Sequence, residues 1–165
     1  MSNTIFIETT VLWQGGKEKA LSGQKNDFLA AFGGALRTLF AELPGFTVAK
    51  RPRGAPFAPV VFCEDKEVIR LTHKNPETPF ARRQDRALEA EFLIRVDISD
   101  MSEEVRGAFL SVLFRFLTYG RGIMGREPNI FQERLSVNGI FIRLPDVMGE
   151  SVEPQREQFM EAILQ

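Results

Sequence analysis

The stretch EFLIRVDISDMSEEVRGAFLSVLFRFL, residues 91–117, changes its hydrophobic period midway, and that change decides the fold class. Phe92, Ile94, Val96 and Ile98 alternate with Glu91, Leu93, Arg95 and Asp97, the pattern of a strand with one buried face and one open face. Asp100 followed by Glu103 has capping-box spacing, with Asp in place of the usual Ser or Thr, and opens a long helix to about Thr118. Val105, Phe109, Val112, Leu113, Phe116 and Leu117 form one helix face, which Leu110 and Phe114 widen. A stripe that broad implies burial on two sides.

Upstream, TIFIETTVLW (residues 4–13) is β-branched and aromatic and reads as a strand ending at Gly15 and Gly16. Asn26 caps a second long helix whose Phe28, Leu29, Phe32, Leu36, Leu39, Phe40 and Leu43 recur at helical spacing until Pro44 and Gly45. Gly33 and Gly34 interrupt it at about 1 kcal/mol each relative to Ala, which predicts close approach of another backbone. Phe46 to Ala49 reads as a short strand. Residues 58–73 read as a hairpin turning at Asp65-Lys66, pairing 64 with 67, 62 with 69 and 60 with 71. Downstream, Asn138-Gly139 is a strong two-residue hairpin signal that pairs 137 with 140 and 135 with 142. A C-terminal amphipathic helix over about 152–164 turns Val152, Phe159, Met160, Ile163 and Leu164 inward.

These elements predict a single α+β domain over residues 1–165, an antiparallel or mixed sheet with two long helices on one face. Strand, helix and hairpin recur from Ile5 and again from Phe92, so a βαββ pseudo-repeat is one reading of the order.

Composition narrows the chemistry. The chain has 165 residues, 21 basic and 22 acidic, with one Cys, one His and fifteen Phe. That census excludes a disulfide framework and a Cys/His zinc site, and no cofactor or metal is expected. The start, Ser2-Asn3-Thr4, has neither basic flank nor apolar core of a secretory signal, and no apolar run approaches the ~20 residues of a membrane span. With a lone Cys63, the expectation is a cytoplasmic protein without membrane contact. Near-neutral charge disfavours nucleic acid as a partner. Between Leu144 and Gln165 five acids accompany Arg156 alone, an acidic patch.

Candidate sites are few. Cys63 and His73 would be the nucleophile and base of a thiol enzyme, but the expected hairpin register sets them on opposite faces. Glu64-Asp65-Glu67 flanks a turn and Glu103-Glu104 occupies a helix first turn, where acids favour the dipole. Gly15-Gly16-Lys17 and Ser22-Gly23-Gln24-Lys25 precede a helix without Walker spacing.

The most pointed motif is Gly120-Arg121-Gly122-Ile123-Met124-Gly125-Arg126: glycines let backbone close round a phosphate, and two arginines offer forked donors. Over these seven residues it resembles the adenylate-binding loop of biotin protein ligases. That family's following tryptophan and downstream lysine motif are absent here, and a helix, not a strand, precedes the loop. An anion site would draw on Arg121, Gly122, Gly125 and Arg126, with Arg51, Arg53, Arg134 and Arg143. Arg134 and Arg143 are expected to face each other across the last hairpin beside Phe141, and opposed like charges call for an acid or an anion nearby. Lys50 and the run Arg82, Arg83 and Arg86 could extend such a basic surface.

The Phe excess suggests surplus apolar surface, placed on Leu110, Phe114, Phe116 and Leu117. The favoured function is therefore a non-catalytic binding or accessory protein that self-associates or docks to a protein partner through this helix face. The alternative is a domain for a phosphate-bearing or nucleotide-like small molecule, or a transferase or ligase, using loop 120–126.

Overall fold

The computed structural model describes residues 3–13, 33–49, 60–75, 77, 81–82, 88–118, 130–144 and 153–164. Eight strands, all paired antiparallel, make one sheet: β1 (Thr4–Trp13), β2 (Phe46–Val48), β3 (Val60–Cys63), β4 (Lys66–His73), β5 (Ala81–Arg82), β6 (Leu88–Asp97), β7 (Ile130–Val137) and β8 (Ile140–Ile142). The helices are α1, helical over 33–40, α2 (Glu103–Leu117) and α3 (Glu153–Ile163). The chain is an α+β protein with a C-terminal helix, as its sequence implies. The expected long first helix begins on residues outside the described set.

Strand order is β2-β3-β4-β6-β1-β7-β8, with β5 added beside β6. The long central pair β1 and β6 runs antiparallel from Thr4↔Asp97 to Trp13↔Leu88. From β1 the chain crosses to β2 in one direction along the sheet; from β6 it crosses to β7 in the other. Because the two starting strands are antiparallel, two right-handed crossovers in opposite directions lay both connecting helices on the same face. The inward side chains Ile5, Ile7, Phe92, Ile94 and Leu135 accordingly share one buried cluster with Leu36 and Phe40 of α1, Phe109 and Leu113 of α2, and Phe159 of α3. The opposite face carries exposed Phe6, Leu93 and Phe141. A strict βαββ repeat is not carried in this order. After α1 the strands run from the edge inward, ending on β4 beside β6; after α2 they run outward from β7 beside β1.

Three local expectations need correction. The N-cap of α2 is Ser102, whose hydroxyl accepts from the Val105 N–H at 3.2 Å. Asp100 is instead drawn to Lys66, 2.6 Å away.

The β3–β4 hairpin closes one residue earlier than expected, with Cys63 across from Lys66, Glu64 at φ 56 and a register shift after Val61. That bulge turns Val61, Ile69 and Leu71 inward, and Val60 pairs with exposed Arg70.

Gly34 is not at a backbone crossing, since an added Cβ there meets nothing within 4 Å. The glycine that geometry does demand is Gly45, at φ +82, where a Cβ would stand 2.9 Å from Glu64 Oε1.

Candidate functional site

The anion-site residues Arg121, Gly122, Gly125, Arg126, Arg51 and Arg53 lie outside the described residues, as do Lys50, Arg83 and Arg86. Arg134 and Arg143 are described, and both are exposed on the open side of the sheet. Leu135↔Ile142 and Ser136↔Phe141 pair as the sequence implies, and the pairing ends there, with Arg143 just past the end of β8. Arg134 makes no ion pair with a described residue, and it lines a cavity of about 130 Å³ with Lys74, Glu8, Glu91 and Phe141. Lys74 stands 3.7 Å from Glu8, so acids and bases alternate round this hollow. Elsewhere on the face Arg70 sits opposite Arg95, a like-charge pair that Glu67 relieves by gripping Arg70 through two bonds of 2.7 and 2.9 Å.

The helix residues Leu110, Phe114, Phe116 and Leu117 are 7%, 1%, 2% and 0% exposed, so this chain covers them itself. Phe40 of α1 packs on Phe109 and Phe116 with ring centroids 5.8 and 6.4 Å apart, and Phe159 of α3 packs on Phe114 at 5.3 Å. The Phe excess on α2 is therefore spent in a core that lies between two other helices and the sheet. Polar links fix the same packing: Arg115 holds Glu42 at 2.8 and 3.0 Å, and Arg156 donates to Ser111 Oγ at 2.6 Å.

Cys63 and His73 do not meet. The bulge puts Cys63 on the inward side with Val61, so register does not separate them by face; distance does. Cys63 pairs with Lys66 at one end of β4 and His73 ends that strand, seven residues and about 23 Å further along. Burial, and then the Glu64 carboxylate, pushes the Cys63 thiol up, which disfavours the thiolate. His73 stacks near Phe92 at 5.0 Å, and burial holds its imidazole below the ordinary value.

A larger cavity, about 490 Å³, opens at the Cys63 end between the β3–β4 turn and the end of β6. Its central group is Lys66, whose Nζ lies 2.6 Å from Asp100 Oδ2, 2.7 Å from Ser99 Oγ and 3.4 Å from Asp97. The hydrogen bond to Asp100 raises the lysine above its usual range, and bonds from Ser99, then the lysine charge, hold Asp97 below its own. Both groups stay charged at neutral pH, so neither is poised to pass a proton or attack a carbonyl. The described residues contain no group of three His, Cys, Asp or Glu that could hold a metal ion. No described helix is long and apolar enough to cross a membrane.

The remaining feature is the β7–β8 corner. Asn138 (φ 51) and Gly139 (φ 82) form a turn with both central residues left-handed, the type that matches strand twist. The Asn138 N–H donates to the Phe6 carbonyl at 2.7 Å, its Oδ1 accepts from the Phe6 N–H at 2.9 Å, and its Nδ2 donates to the Ala162 carbonyl at 3.2 Å. One side chain thus ties the hairpin to β1 and to the end of α3. Sequence signalled Asn138 only as a turn former. Of the six large apolar side chains exposed among the described residues, Ile140 (39%), Phe141 (66%) and Leu164 (64%) lie at this corner, on or beside the terminal strand of the sheet. No protein-family model, curated protein or solved structure matches the chain.

Proposed function

We infer that this is a non-catalytic binding or accessory protein that docks through the β8 edge rather than through α2. The observation that carries the reading is the exposure of Ile140 and Phe141 on the terminal strand of the described sheet, with Leu164 exposed just past α3, since α2 spends its apolar face internally. The chemistry of the titratable groups agrees with it: among the described residues the thiolate is disfavoured, the lysine is locked in ion pairs, and the histidine stands far from both. A photo-crosslinking residue placed at 141 in the full chain should give a discrete protein adduct in cells, and the same residue at exposed Thr47 on the far edge should not. Equal labelling at both positions, or none at 141, would overturn the reading.

A second reading, a phosphate-bearing ligand, draws support from Arg134, which points into a hollow beside Lys74 without an ion pair to a described residue. It requires that a nucleotide or coenzyme A raise the melting temperature and that Arg134→Ala abolish the rise. The acids Glu8 and Glu91 in the same wall weigh against it.

A further inference from the structure

We propose that the hollow on the open face of the sheet binds a small zwitterion, a free α-amino acid with a short side chain, independently of docking at β8. The hollow measures about 130 Å³ and is lined by Glu8 and Thr10 of β1, Lys74 after β4, Glu91 of β6 and Arg134 of β7, with Phe141 in its wall. Its floor is Thr10. The register sets Glu91 across from Thr10 on one side and Arg134 across from it on the other, so a carboxylate and a guanidinium flank one residue. Two strand spacings of about 4.8 Å hold their backbones roughly 10 Å apart, which leaves room for a molecule between them.

Thr10 is only 8% exposed, yet its hydroxyl makes no hydrogen bond to a described residue, a polar group left for a ligand. The charges around it do not close on one another either. Arg134 has no ion pair with a described residue, and Lys74 and Glu8 stand 3.7 Å apart, beyond hydrogen-bond length. Elsewhere on the same face Glu67 grips Arg70 at 2.7 Å, as opposite charges do when nothing is to come between them. The β1–β7 ladder also shifts register directly after Thr10, and such irregularities re-aim the side chains beside them.

The signs of charge select the ligand. A phosphate on Arg134 and Lys74 would face Glu8 and Glu91, and a simple amine on the two acids would face the two bases. A molecule carrying both charges answers both. Its carboxylate takes the forked guanidinium of Arg134, its ammonium donates to Glu91 and Glu8, and the Thr10 hydroxyl serves either group. Glu91 accepts from Asn75 through Oε2 at 3.3 Å, which leaves Oε1 for the ammonium. Size agrees, since a cavity of about 150 Å³ takes a molecule as large as benzene, roughly six non-hydrogen atoms, and alanine is of that size.

Nitrogen–proton correlation NMR of the full chain tests this by titration with L-alanine and with propionate, isopropylamine and inorganic phosphate, each of which carries one sign of charge. The variants are Arg134→Ala, Glu91→Gln and the same-face control Arg70→Ala. L-Alanine should shift the Thr10 and Glu91 amides saturably, with a dissociation constant on the order of 1 mM or below, and the three single-sign probes should bind about tenfold more weakly or worse. Arg134→Ala and Glu91→Gln should each weaken L-alanine by about tenfold or more, whereas Arg70→Ala should leave it unchanged. Both arginines are exposed and glutamine keeps the Asn75 bond, so all three variants should retain the wild-type circular dichroism. Amides that do not respond to L-alanine at roughly ten times that concentration overturn the proposal, as does equal binding of propionate or isopropylamine, or binding indifferent to either charge removal. Phosphate that binds as tightly as L-alanine, or more tightly, and is lost in Arg134→Ala overturns it in favour of a phosphate-bearing ligand. The crosslink at position 141 tests docking separately.

Discussion

Phe114→Ala separates a core face from an interface face on α2. Phe114 is 1% exposed and its ring lies 5.3 Å from Phe159, tilted by 43°. Emptying a buried Phe site costs about 3–5 kcal/mol, part of it the ring pair, which alone contributes about 0.5–1.5 kcal/mol. Against a total stability of about 5–15 kcal/mol for an ordinary domain, that is a large fraction. At about 2–4 °C per kcal/mol for a chain of this size, the melting temperature should fall by roughly 6–20 °C. Urea unfolding followed by far-ultraviolet circular dichroism measures it, at two protein concentrations. The midpoint should drop by the same amount at both, because the lost contact is within one chain. A loss below about 1 kcal/mol, or one that grows on dilution, would refute the placement of this face in the core.

Glycine supplies the opposite sign. An added Cβ at Gly34 or at Gly107 in α2 meets nothing within 4 Å, so Gly34→Ala and Gly107→Ala should each raise stability by about 0.5–1 kcal/mol, read as a higher urea midpoint. Asn138→Ala removes bonds to Phe6 and Ala162 and puts a Cβ residue with no local bond at φ 51; it should cost about 2 kcal/mol in the same assay. His73 sets a pH slope. Burial lowers its folded pKa below 6.5, so the unfolded chain binds a proton first as the pH drops. Stability due to this group is full above pH 6.5 and declines as the pH falls from there towards the folded value; His73→Phe should flatten that part of the profile in denaturation titrations.

How much of this was legible depends on how local its cause is. The β6 alternation, the α2 stripe and the 137/140 register follow from neighbours in sequence, and each is present. The N-cap shifted to Ser102 because Asp100 is engaged by a lysine 34 residues upstream, which no capping pattern records. The β3–β4 register shifted because Val60, Val61 and Phe62 are all apolar, leaving the period of two undefined until a bulge settles it. The Phe surplus on α2 was readable as a quantity, but its cover was not. Phe40 and Phe159, distant in sequence from Phe116 and Phe114, decide that it is core. The exposed edge is not legible in the sequence for the same reason, since only the strand order of the described residues makes β8 terminal.

The most direct test of docking at β8 is amide hydrogen exchange at Phe141 in the wild-type chain, read as a function of protein concentration. The account predicts fast exchange in the dilute isolated chain, as expected of an edge amide, and slower exchange once β8 is occupied, by a second copy at high concentration or by an added binding protein, while the Val137 and Ile142 amides stay protected throughout. Fast exchange at Phe141 at every concentration, and also with the protein that position 141 crosslinks added, would contradict it.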